Sequence, residues 1–120
     1  MSTTTHTTFD VAAFRRALDT LDEQALSALV TEDFERTEID ESTPPSRPAV
    51  VRGRAANAAS LAELRERGVR IHTEQPLVDG DRVALMCRCD LPDGREVVSI
   101  AIGDVRDGLL ARWTEVQAWG

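Results

Sequence analysis

The hydrophobic period of this chain changes once, at Gly68, and that change limits the folds open to it. Before Gly68, the residues Phe9, Ala13, Phe14, Ala17, Leu18 and Leu21 recur at helical spacing, with Asp10 as an early N-terminal acid. A shorter stripe of Leu26, Leu29 and Val30 follows Asp22. Leu61 and Leu64 mark a third helix over residues 55–67, which Gly68 stops. Between these helices, residues 33–40 read best as a strand, and Pro44, Pro45 and Pro48 make residues 42–48 a loop. After Gly68 the period is 2. Residues 69–73 alternate, and the turn signals around Gly80, Gly94 and Gly108 cut the rest into strands over 82–91, 96–105 and 109–119. Helices first, one strand among them and then an antiparallel four-strand meander make an α+β protein.

At 120 residues the chain is one domain. Its first eight residues lack any apolar period and are expected to be a disordered tail, with residues 9–120 as the folded unit. A net charge of −7 argues against nucleic acid and anionic membranes as partners, because phosphate binding needs a basic face. All 14 cations are Arg, so a lysine Schiff base is excluded, and Tyr is absent as well. No stretch approaches the roughly 18 apolar residues of a membrane span, and the polar N-terminus is not a secretory signal.

Cys87 and Cys89 stand two apart in a strand, on one face, too constrained for an ordinary disulfide. Reduced thiols in a cytoplasmic protein is the plain reading. Both point the way of Val83 and Leu85, which favours small buried side chains. His72 alternates on the polar side with Arg70 and Glu74 and reads as solvated. Neither it nor His6 completes a metal-ligand pattern. No phosphate loop and no Ser-His-Asp or Cys-His arrangement stands out.

Three local stretches carry a family resemblance. Leu29, Val30, Thr31, Glu32 and Asp33 resemble the exit from the second helix of the nuclear transport factor 2-like superfamily. The stretch from Pro45 through Val51, Arg52, Gly53 and Arg54 resembles its proline loop and the lead-in to its third helix. The run from Asp107 and Gly108 through Trp113, Thr114 and Glu115 resembles its closing strand. The resemblance implies the fold of SnoaL-like polyketide cyclases, ketosteroid isomerases and limonene epoxide hydrolases. That fold is a cone-shaped barrel in which a curved antiparallel sheet wraps around about three N-terminal helices and encloses a pocket.

The resemblance also implies a site. Arg36 and Glu38 fall where relatives place pocket residues, Glu38 at the position of the isomerases' general base; a slip of one residue would put Glu35 and Thr37 there instead. Arg88, Cys89 and Asp90 resemble the Arg-x-Asp pair of the epoxide hydrolases, which makes Asp90 the catalytic acid and Arg88 its charge partner. Arg36, Trp113 and Met86 are the expected substrate contacts. Departures narrow the chemistry. Without Tyr, and with no acid in Ser99, Ile100, Ala101 and Ile102, steroid isomerisation by the family's mechanism is excluded. The hydrolases' second aspartate is matched by Ala118, so Glu38 would have to supply the second acid.

The resulting expectation is an acid–base enzyme that uses no cofactor and no metal. It would act on a small lipophilic molecule by epoxide opening, polyketide-type cyclisation or isomerisation. The alternative is a binding module of the same fold that performs no chemistry. A homodimer is expected from the superfamily's use of the outer sheet face.

Overall fold

A computed structural model describes residues 8–120. The expected tail therefore lies, except for Thr8, outside the described residues. Helix α1 (Val11–Asp19) starts where the Asp10 carboxylate accepts a hydrogen bond from the Ala13 amide, and it buries Phe14 and Ala17. Helix α2 (Glu23–Ser27) is capped in the same way by Asp22. Strand β1 (Val30–Ile39) and strand β2 (Ala49–Arg52) flank the proline loop, and helix α3 (Arg54–Glu66) follows. The chain closes with β3 (Arg70–Asp79), β4 (Arg82–Asp90), β5 (Glu96–Arg106) and β6 (Leu109–Trp119). No described helix is long and apolar enough to cross a membrane.

The six strands form one curved, unclosed sheet in the order β2-β1-β6-β5-β4-β3, with the helices on its concave side. The expected α+β cone is present, with three differences from the sequence reading. Val30, read into the second helical stripe, opens β1 instead. Strand β2 is an extra four-residue edge strand just after Pro48, paired with β1 across Glu35–Glu38. Strand β1 also runs parallel to β6, so the sheet is mixed rather than wholly antiparallel. A parallel partner needs a long crossover, and everything from β2 to β5 supplies it.

Two backbone devices set which side chains face the concavity. At the β5–β6 hairpin, Asp107 and Gly108 both take positive φ (54° and 79°), the requirement of a tight two-residue turn. Just beyond it a bulge intervenes: Asp104 opposes Arg112, but Val105 already opposes Leu110. The additional residue turns both Leu110 and Trp113 inward, and both are buried. Trp113 lies over Gly103, where an added Cβ would meet its ring at 2.6 Å. Phe14 meets the same indole edge-on at 5.2 Å, which fastens α1 to the sheet.

Candidate functional site

Between the helices and the concave face lies a cavity of about 100 Å³. Its apolar walls come from Phe14 and Leu18 on α1, Leu61 on α3, and Phe34, Ile71 and Trp113 on the sheet. Period-2 alternation then delivers the polar groups. On β1, Arg36 and Glu38 follow Phe34 on the inner face; on β6, Glu115 and Gln117 follow Trp113. The parallel register sets Arg36 beside Trp113 and Glu38 beside Glu115. Ser99 on β5 lies opposite Gln117, and Cys87 on β4 lies opposite Ser99.

The two carboxylates differ in environment. Glu38 is ion-paired with Arg36, Nη2 to Oε1 at 3.2 Å. Glu115 has protein packed around it on nearly every side, and the surface it keeps lies on the cavity wall. Gln117 Nε2 donates a long hydrogen bond of 3.4 Å to Oε2, and the Ser99 hydroxyl also interacts with the carboxyl. Burial pushes the Glu115 carboxyl up, Arg36 pulls it down, and the neighbouring Glu38 pushes it up again; the net direction is upward. The site thus sets an acid whose carboxyl burial pushes upward beside a second acid that an arginine ion-pairs and orients. The Nε of Arg36 is buried and has no partner among the described residues. An orphaned donor of this kind is a natural place for a ligand oxygen. Among the described residues, no group of three or more His, Cys, Asp and Glu side chains is arranged to hold a metal.

The structure separates the residues that the sequence reading joined. Arg36, Glu38 and Trp113 line the cavity. Asp90, Arg88 and Met86 do not, and this corrects their expected place in the pocket. Strand alternation is the reason: Val83, Leu85, Cys87 and Cys89 face inward, so Met86, Arg88 and Asp90 face outward. There Arg88 bridges Glu74 (3.1 Å) and Glu96 (3.3 Å), while Asp90 meets His72 at 3.3 Å with its side chain 53% exposed. Met86 sits between Glu74 and Ile100 in the outer-face register. Glu115 was missed. Its signal was available in the alternation Trp113, Glu115, Gln117, which shares a face with an aromatic residue that has to be buried.

A family profile described as a SnoaL-like domain matches residues 11–113. No curated protein matches the sequence. Among solved structures, a nuclear transport factor 2-like protein of unknown function from Mesorhizobium loti superposes with a TM-score of 0.77 at 23% identity, covering 90% of this chain and 87% of that one. A ketosteroid isomerase candidate from Kribbella flavida gives 0.73 at 21%, over 90% of this chain and 74% of the other. An LEH-like epoxide hydrolase from M. tuberculosis gives 0.68 at 19%, over 90% and 79%. At these identities the likeness establishes the fold alone.

Proposed function

The chain belongs to the SnoaL-like domain family, and from that premise we propose that it is an acid–base enzyme acting on a small lipophilic molecule without a cofactor. The reading is carried by the pairing of Glu38 and Glu115 in one cavity, in unlike environments. Glu115 donates a proton to an oxygen of the substrate, and Glu38, aimed by Arg36, accepts one from a water or from carbon. The unpartnered Arg36 Nε holds the oxygen on which negative charge develops. Epoxide opening, isomerisation and cyclisation all need this set of groups, and isomerase, hydrolase and cyclase relatives share the fold. A cavity of about 100 Å³ suits a monocyclic substrate better than a steroid.

The partners follow from the surfaces. A second copy of this chain is proposed against the outer sheet face, where Met86, Ile100 and Val116 align across three strands with Ile100 61% and Val116 55% exposed. Nothing in the charge of −7 supports nucleic acid or an anionic membrane as partner. The free thiols fit a reducing cytoplasm.

Turnover of cyclohexene oxide and of 3-cyclohexenone by wild type, Glu38→Gln and Glu115→Gln tests the proposal. Each substitution is expected to lower turnover by about 10²-fold or more. Hydrolysis is distinguished from isomerisation by incorporation of solvent oxygen into the diol. Unchanged turnover in both variants would sink the acid–base reading and favour a binding module, in which the same cavity holds a ligand without altering it.

A further inference from the structure

The cavity also holds two thiols that have no part in the acid–base scheme, those of Cys87 and Cys89. Both are free, both line the cavity, and both project from the same face of β4. Same-face neighbours on a strand have Cα atoms roughly 6.6–7 Å apart with nearly parallel Cβ directions. A disulfide needs Cβ atoms only about 3.5–4.5 Å apart, so these two cannot oxidise to each other without breaking the strand. Rotation about χ1 can nevertheless lean both sulfurs toward one shared atom. The spacing that forbids a direct S–S bond suits a single-atom bridge.

The surroundings narrow what that atom can be. Burial pushes the Cys87 thiol up to about 12 and the Cys89 thiol up to about 11. The thiols therefore stay protonated and neutral. A divalent cation would have to enter a mainly apolar cavity still charged, at a large desolvation penalty. A neutral trivalent arsenical carrying one organic group meets no such penalty, and its organic group finds walls of Leu61, Ile71 and Trp113.

We propose that Cys87 and Cys89 form a dithiol trap for monosubstituted trivalent arsenicals, closed over the cavity. With an arsenoxide R–As=O, two S–H bonds and the arsenic–oxygen bond break and two As–S bonds form. Both thiol protons go to the oxygen, which leaves as one water. Arsenic stays trivalent, so no oxidant or reductant is required, and every species is neutral. The trap is a further activity of the cavity and does not depend on the acid–base reading.

Phenylarsine oxide is the probe. Incubated with the intact folded protein, it is expected to add one C6H5As unit with loss of two hydrogens, read by mass spectrometry. Both cysteines should become unreactive to maleimide, and 1,2-ethanedithiol should release them. The thermal midpoint should rise, because the adduct then belongs to the native state. Cys87→Ser and Cys89→Ser, each checked for native folding by circular dichroism, should retain the arsenical through gel filtration without added dithiol at least tenfold less than wild type. Full retention in either single variant would overturn the trap, as would an adduct that forms only in denaturant or lowers the midpoint. Glu115→Gln should still form the adduct, so loss of turnover in that variant and failure of the trap are separate outcomes.

Discussion

Both faces of the sheet carry arginines paired with carboxylates, yet only one face makes them chemically unusual. On the convex face, Arg88 lies between Glu74 and Glu96, His72 beside Asp90, and Arg82 beside Asp104, with side chains 38–60% exposed. Water screens each pair, and such contacts stabilise by less than about 1 kcal/mol. On the concave face, one arginine serves two carboxylates in a cavity lined by Phe14, Leu61 and Trp113. One negative charge is left without a partner there, and burial resolves it by raising the Glu115 carboxyl. The same residue types are solvated pairs on one side and a buried, upward-shifted carboxyl beside an ion pair on the other, and one step along a strand decides between them.

The contrast can be broken most forcefully at the concave wall. Trp113→Ala removes the ring that α1 packs against and should destabilise the fold by about 3–5 kcal/mol in urea unfolding. A loss under 1 kcal/mol would mean that the helices do not lean on the cavity. Next comes Arg36→Met, which leaves Glu38 and Glu115 side by side without a cation. At neutral pH it should cost about 3 kcal/mol, and much of that should return in acid as the carboxylates gain protons. A pH-independent loss would point to packing instead of charge.

Glu115→Gln sharpens the comparison because it has the opposite sign. A carboxyl whose folded pKa lies above its unfolded value binds its proton more tightly in the native state. That stabilisation is complete below the ordinary carboxylate range and is lost as pH rises through the raised value. At pH 8 the variant should therefore melt above wild type, by roughly 0.5–2 kcal/mol, and the two curves should converge near pH 4. A variant less stable than wild type at pH 8 would refute the raised pKa. Smallest of all, Asp90→Asn and Arg88→Gln should each shift stability by less than about 1 kcal/mol at any salt concentration. A drop of several kcal/mol would show that the convex pairs are buried by something, for which a second copy of the chain is the proposed occupant.

Much of this architecture was legible in the order of residues. Gly68 separates the helical period from the strand period, and the turns at Gly80, Gly94 and Gly108 fall where the strands end. The four inward residues of β4 were readable from Val83, Leu85, Cys87 and Cys89 alone. Alternation and family likeness disagreed about Arg88 and Asp90, and alternation was the better guide, since a pleat leaves no choice of side once its neighbours are buried. Glu115 was obscured by the bulge: strict alternation from Leu110 would aim Arg112 and Thr114 inward and Glu115 outward. Strand β2 has only four residues and no turn signal of its own, being defined by its partner on β1. The pairing of Glu38 with Glu115 depends on strands far apart in sequence, and no local pattern encodes it.

That parallel β1–β6 junction has a consequence for the order in which the molecule comes into being. The two strands that carry Glu38 and Glu115 are the first and last of the described sheet, so the centre of the cone is made after its rim. Until β6 emerges from synthesis, the inner edge of β1 has no partner and Arg36 and Glu38 have no facing acid. The helices can form early from local contacts, whereas closing the β1–β6 seam spans most of the chain and sets a slow final step. A nascent chain that stalls before Trp113 presents two unpaired strand edges and no cavity, the condition in which sheet proteins capture one another.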